Sequence, residues 1–275
     1  MSETARRRTR EPDRAASYEA HQEWPPETAA AVARHLRESA GRSSIFLGCA
    51  TGVNDALPFA RLAGPGERVT ATDVDPSYLE TLGERVRSEG LAHVDVRKLD
   101  ITSDLEGAGP YDLAALFFVI HRIPGWPRVV ANLARLLAPG GSFFTSEFAG
   151  LSGVIYLSNE NGGWGRDPVS RLIRRYFELL PERFAPPLKS TFVRPFLDAL
   201  AGELAPAGFR DFAWPQSLSV GDMVDRIECG AYAPYFSVRP PMRVLDRVRA
   251  EFASEWSARS DFVETIRIYR FVRAR

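Results

Sequence analysis

The chain has 275 residues, 45% of them hydrophobic, and its 35 Lys and Arg balance its 35 Asp and Glu. That size suits one large α/β domain or a core with a substrate-binding elaboration, and zero formal charge leaves no global field toward nucleic acid or an anionic membrane. Two cysteines, Cys49 and Cys229, are too few for a disulfide framework or a cysteine-held metal cluster. With no apolar leader and no run near the ~18 residues of a membrane span, a cytoplasmic protein with a small-molecule partner is expected.

Residues 1–16 carry five arginines among acids and small residues, which predicts a disordered tail. Pro25-Pro26 then opens a helical run, Thr28 to Ala40, with Val32 and Leu36 four apart. Five β-prone runs follow at Ser44–Leu47, Arg68–Thr72, Val94–Lys98, Leu113–Phe118 and Ser142–Phe148, alternating with helical patterns. Such alternation predicts parallel βαβ units. Asp75 and Pro76 start one intervening helix, with Leu79, Leu82 and Val86 as its stripe and Gly90 as its stop. Pro127 to Leu137 forms another, broken by Pro139-Gly140-Gly141.

Beyond Phe148, the Gly- and aromatic-rich stretch from Asn161 to Gly165 precedes an amphipathic helix over Pro168–Leu180, read as an inserted cap. A helix near Phe196–Leu204, a strand over Phe209–Trp214, helices over 219–232 and 241–256 and a strand over Phe262–Val272 complete the pass. The expected organisation is a tail at 1–16, a cofactor-binding core with an N-terminal helix at 17–150, and cap insertions with the last strands of the same sheet at 151–275.

Chemistry concentrates at the ends of the first strands. The turn Gly48-Cys49-Ala50-Thr51-Gly52 permits a sharp bend and close ligand approach. It departs from the dinucleotide pattern G-x-G-x-x-G at Ala50 and Val53. Asp73 ends the second strand, where a carboxylate can accept hydrogen bonds from both ribose hydroxyls; the competing role, helix capping, falls to Asp75. Asp100 follows the third strand and either accepts from an adenine amino group or starts a turn. His121, past the fourth strand, is the candidate general base, with packing or capping as its alternative. Glu147 and Glu228 either bind a substrate amine or form ordinary ion pairs. The four histidines lack metal-ligand spacing, so no metal site is expected, and neither a P-loop nor a G-x-S-x-G elbow occurs.

From Ser44 to Phe148 the chain resembles the class I S-adenosylmethionine-dependent methyltransferases of the small-molecule branch. The resemblance rests on Leu47-Gly48-Cys49-Ala50-Thr51-Gly52, Thr72-Asp73-Val74-Asp75, Leu99-Asp100-Ile101, Tyr111-Asp112-Leu113 through His121-Arg122-Ile123-Pro124, and Leu137-Ala138-Pro139-Gly140-Gly141-Ser142. It implies a Rossmann-like α/β sheet of seven strands, mostly parallel with the last antiparallel, and helical cap insertions after strand 5 and before strand 7. It also implies S-adenosyl-L-methionine as cofactor. Gly48, Ala50 and Gly52 would line its methionine and ribose side, Asp73 would hold the ribose, Asp100 with Ile101 would frame the adenine, and Phe117 and Phe118 would close the floor. Cys49 and Val74 count with these as cofactor-binding positions.

Three positions depart from the family's pattern: Phe46 stands where an acid is usual, Ala50 where a glycine is, and Phe117 where a small or polar residue is common. They keep a second reading open beside methyl transfer to a biosynthetic small molecule: a repurposed enzyme catalysing cyclisation or elimination without the cofactor. A third reading is a silent subunit that stabilises a partner enzyme, which the charge balance and the Trp- and Arg-containing insertions permit, and a homo-oligomer stays open beside it. Tyr156, Trp164, Arg171, Arg174, Arg175 and Tyr232 in the insertions suit either a lid over an apolar or anionic molecule or ordinary core.

Overall fold

The computed structural model describes residues 24–103, 105, 107–120, 123, 126–148, 165–180, 189–228 and 242–275. Seven strands form one sheet: β1 (Ser43–Leu47), β2 (Arg68–Asp73), β3 (Val94–Lys98), β4 (Tyr111–Leu116), β5 (Leu137–Phe148), β6 (Ala205–Ser219) and β7 (Arg259–Val272). Their order is β3-β2-β1-β4-β5-β7-β6. The first five pair in parallel, while β7 runs antiparallel to both β5 and β6. The chain winds outward from β1 to β3 and then returns to place β4 on the other side of β1. That reversal opens a crevice beyond the C-terminal ends of β1 and β4.

Side-chain alternation along the strands divides the core in two. Phe46, Leu113, Ala115 and Phe144 face one layer, built from α1 (Pro26–Arg37), α2 (Ala56–Ala60) and α3 (Pro76–Ser88). Ile45, Leu47, Ala114, Leu116 and Phe143 face the other, where α4 (Trp126–Leu136) and α6 (Lys189–Glu203) pack. Helix α1 buries Ala29, Val32, Ala33 and Leu36 as a single stripe, and the His35 ring on the same helix lies 5.7 Å from both Phe144 and Phe212. The Trp126 and Phe196 rings meet edge to face at 6.3 Å and join α4 to α6. In α3, Asp75 caps the start through the Ser77 N–H at 2.9 Å, as its sequence pattern predicts.

A third apolar cluster joins α5 (Pro168–Leu179), α7 (Val220–Glu228) and α8 (Met242–Glu251) through Leu172, Ile173, Tyr176, Met223, Val224 and Val248. Helices α5 and α6 lie between β5 and β6, and α7 and α8 between β6 and β7, so helical insertions follow strand 5 and precede strand 7 as expected, although α6 packs in the core layer rather than with α5, α7 and α8. Because β6 runs in the same direction as β1–β5, its end at Ser219 and the start of β7 at Arg259 lie on the sheet edge that carries the turn after β1. The α5-α7-α8 cluster is anchored to that edge by Leu218.

Several boundaries differ from the sequence reading. Strand β6 extends well beyond Phe209–Trp214, because β7 pairs with it from Ala205 to Ser219 while most of its side chains stay exposed. An exposed edge strand lacks the apolar run that marks a buried one, and its Pro206 and Pro215 are tolerated only at such an edge. The five-residue helix α2 was not anticipated. Pro139-Gly140-Gly141 lies inside β5: Gly140 has φ +79°, its N–H donates to the Arg273 carbonyl at 3.0 Å, and the Arg273 N–H donates to Gly141 at 2.9 Å. Among the described residues, no helix is long and apolar enough to cross a membrane.

Candidate functional site

The turn after β1 is left-handed at three places: Gly48 (φ +62°), Ala50 (φ +49°) and Gly52 (φ +73°). Glycine takes this conformation freely, whereas alanine pays roughly 1–2 kcal/mol and must be held there. What holds Ala50 is Asp73, whose Oδ2 accepts the Ala50 N–H at 2.9 Å. The Cys49 N–H donates to the Thr72 carbonyl at 3.0 Å, and the Gly52 N–H to the Cys49 carbonyl at 2.8 Å. Both glycines are also fixed by their neighbours. A Cβ at Gly48 would lie 2.7 Å from Val119 Cγ2 in the loop after β4, and one at Gly52 would lie 2.7 Å from Leu82 Cδ1 on α3.

Asp73 is buried, and its Oδ1 accepts the Asp75 N–H at 2.9 Å. Each of its oxygens thus carries one backbone donor and keeps capacity for another. Val74 beside it is exposed. Asp100 is exposed and uses Oδ1 for the Thr102 N–H at 2.8 Å and the Thr102 hydroxyl at 2.6 Å. These hydrogen bonds hold its carboxyl below the usual range. The turn role weighed for Asp100 is therefore realised at one oxygen. Ile101 is buried, and its carbonyl accepts from Asn132 Nδ2 at 2.6 Å; the same amide nitrogen reaches the Ser103 carbonyl at 2.8 Å. Asn132, wholly buried on α4, thus fixes the loop after β3. A polar residue inside the apolar stripe of α4 was the available signal.

At the end of β4, Phe117 is buried and Phe118 holds φ +54°, an uncommon conformation for a bulky residue. Trp24 packs on both, tilted against Phe117 at 6.4 Å and edge-on to Phe118 at 5.8 Å. Its backbone N–H donates to Asn54 Oδ1 at 2.8 Å, which ties the segment before α1 to the turn. Sequence reasoning did not single out Trp24, Thr51, Asn54 or Asp55. Asn54-Asp55 directly before an apolar run is a capping pattern that could have flagged the last two.

Asp55 caps α2, its Oδ1 accepting the Ala56 N–H at 2.5 Å, and the residue is only 7% exposed. Burial pushes its carboxyl up to about 7, and the Asp73 charge adds to the rise. Burial likewise raises the Cys49 thiol, helped by the charges of Asp55 and then Asp73. A buried thiol disfavoured as thiolate is a poor nucleophile. The Thr51 hydroxyl is wholly buried and makes no hydrogen bond among the described residues. Phe46 is fully buried, with its ring 5.1 Å from that of Phe59.

The structure therefore brings Gly48, Cys49, Ala50 and Gly52 in the turn after β1 together with Asp73 at the end of β2, with Phe117 and Phe118 following β4. His121 lies outside the described residues. Glu147, just past the Leu116–Thr145 pairing of β4 with β5, lies on the same sheet edge and accepts the Tyr269 hydroxyl at 2.6 Å. Burial, then Glu147, raises that phenol. Glu228 on α7 pairs with Arg249 of α8, inside the cap. Arg171, Arg174 and Arg175 pair with Glu255, Glu178 and Glu251 respectively. Tyr156, Trp164 and Tyr232 lie outside the described residues.

A family model described as a methyltransferase domain matches residues 46–143. The chain is 30% identical over 125 residues to the ubiquinone biosynthesis O-methyltransferase of Caulobacter vibrioides, a match covering 42% of this chain and 47% of that protein. It is 22% identical over 125 residues to the demethylmenaquinone methyltransferase of Halalkalibacterium halodurans, covering 46% and 49%. The chain thus spans about half the length of the curated relatives it matches. Among solved structures, the YcgJ protein from Bacillus subtilis shares the fold, with a TM-score of 0.55 at 14% identity over 90% of this chain and 99% of that one.

Proposed function

Since the chain is a class I S-adenosylmethionine-dependent methyltransferase-fold protein, we propose that it binds S-adenosyl-L-methionine in the crevice beyond β1, β2 and β4 and transfers its methyl group to a small biosynthetic molecule. The observation that carries this reading is the turn locked to Asp73: a buried carboxylate at the end of β2, one strand from the switch point of the sheet and still able to accept two hydroxyl hydrogen bonds. The unpartnered Thr51 hydroxyl in the same turn fits a polar ligand there.

In this proposal Gly48, Cys49, Ala50 and Gly52 form the backbone wall of the methionine and ribose side, and Asp73, with Val74 beside it, receives the ribose. Asp100 and Ile101, steadied by Asn132, border the adenine. The Phe117, Phe118 and Trp24 rings keep water from the floor. The cofactor, when bound, supplies a sulfonium methyl as electrophile. What the chain contributes is alignment, because an oriented nucleophile at near-attack distance gains most of the available rate. A proton leaves the acceptor only if its nucleophile carries one, and His121 or Glu147 would take it. Glu147, already bonded to Tyr269, would hold an acceptor amine, whereas Glu228 would act through the cap. In domain terms, residues 17–150 would carry the cofactor, and 151–275 would add the cap and the last strands.

Isothermal titration with S-adenosylmethionine and its demethylated product tests the reading; binding of both in the micromolar range is expected, and absence of both overturns it. A second reading, cofactor-independent cyclisation or elimination on the same scaffold, draws support from Phe46, whose buried ring occupies the place of an acid. Turnover of a biosynthetic intermediate without added or retained cofactor would favour it.

A further inference from the structure

Among the described residues, the buried groups around the β1 turn form an acidic cluster without a cation. Asp55 and Asp73 are each 7% exposed and close enough for each to act on the buried Cys49 thiol. Among the described residues, neither carboxylate forms an ion pair, and the Asp55 carboxylate is held only by backbone N–H groups, that of Ala56 and its own. Thr51, between Cys49 and Asp55 in sequence, supplies an independent sign of a missing ligand: its hydroxyl is fully buried and unbonded. A buried carboxylate left without a cation costs free energy, and a fold retains such a group where something else compensates it.

We propose that the Asp55 carboxylate receives a positive group of the bound cofactor, the ammonium or the sulfonium of S-adenosylmethionine, and so sets the preference of this site for a cationic ligand. This rests on the reading given under Proposed function. Asp73 is occupied with the Ala50 and Asp75 N–H groups and can complete its valence with neutral hydroxyls. Asp55, with two backbone donors on its carboxylate, keeps lone-pair capacity for a charged donor. With the first strand offering the Phe46 ring and no carboxylate, Asp55 is the acid placed nearest in sequence to the turn. Burial that holds the carboxyl near neutrality also strengthens its attraction for a cation once one enters, because the low local dielectric screens little.

The test compares wild type, Asp55→Asn and Asp55→Ser by calorimetry with three probes: S-adenosylmethionine, S-adenosylhomocysteine, and methylthioadenosine, which keeps the nucleoside and sulfur but neither positive group. Asn and Ser both cap helices, so the turn is retained and thermal melts verify folding. Roughly tenfold or greater loss for S-adenosylmethionine, with methylthioadenosine within about twofold of wild type, is expected for a charge-assisted contact. Equal loss for S-adenosylhomocysteine assigns the contact to the ammonium; loss confined to S-adenosylmethionine assigns it to the sulfonium. Unchanged affinity in both variants, or an equal loss of methylthioadenosine, overturns the role of Asp55 while leaving the cofactor reading intact. If wild type binds none of the three, the cofactor reading itself fails, and this inference with it.

Discussion

The Asp73 carboxylate, at the end of β2, accepts the backbone N–H of Ala50, 2.9 Å away in the turn after β1. That single bond couples two adjacent parallel strands, β1 and β2, beside the β1–β4 boundary where the sheet order reverses, and it keeps a non-glycine residue at φ +49°. The side chain proposed to hold the ribose therefore also holds the wall of the ribose pocket.

Asp73→Ala should consequently damage both stability and binding. Removing the carboxylate leaves the buried Ala50 N–H without its acceptor, at a cost of about 1–3 kcal/mol. Denaturant unfolding should show a lowered midpoint with an unchanged slope, and S-adenosylmethionine affinity should fall at least tenfold, on the order expected for losing charge-assisted bonds. An unaltered midpoint would contradict the locking role.

Ala50→Gly separates backbone strain from packing. The left-handed conformation costs alanine roughly 1–2 kcal/mol, and the extra unfolded-state freedom of glycine offsets about 0.4–1 kcal/mol of the relief. The variant should be neutral or more stable by up to about 1.6 kcal/mol. Ala60→Gly, at the end of helix α2, should instead cost about 1 kcal/mol. Paired thermal melts decide the matter; destabilisation at position 50 would mean that its methyl group packs usefully.

Phe46→Glu would restore the family's acid at that position, yet it should fail. The Phe46 ring is fully buried against Phe59 in the layer under α2, so a carboxylate there loses the aromatic packing, worth about 3–5 kcal/mol, and enters apolar surroundings uncompensated. Poor soluble expression or a steep loss of unfolding free energy is expected, with Phe46→Leu much milder. A stable Phe46→Glu protein with tighter cofactor binding would show that the position remains open to the ligand.

The parallel half of the fold was legible because buried strands such as Ile45–Leu47 and Leu113–Leu116 are continuous apolar runs, and because Asp75-Pro76 punctuates a helix locally. Strand β6 was only partly legible, since its extent is dictated by a partner some fifty residues away in β7 and its stretch from Ala205 to Asp211 is exposed throughout, with alternation beginning only at Phe212. The same division runs through the site. The spacing from Gly48 to Asp73 could be read along the chain. The Trp24–Asn54 bond, 30 residues apart, the placement of Trp24 on Phe117 and Phe118, and the burial of Thr51 and Asp55 exist only once the loops meet.

Burial of Asp55 also makes a signed prediction about stability and pH. Its carboxyl is raised to about 7 in the folded protein, against 3.8 when unperturbed, so between these values the native state holds a proton that the unfolded chain has released. Stability then falls as pH rises through that window: the favourable contribution is complete below the unfolded value and is lost as pH passes the folded one. Carboxylates such as Glu67, Glu89 and Asp211, lowered by Arg37, Arg61 and Arg267, act in the opposite direction and at lower pH. Comparing wild type with Asp55→Asn between pH 5 and pH 8 isolates the buried group, because Asn caps α2 without titrating. Wild type should lose on the order of 2 kcal/mol relative to the variant over this range. Parallel pH profiles for the two proteins would mean that Asp55 ionises freely in the fold, and that the turn has no need of a cation to settle it.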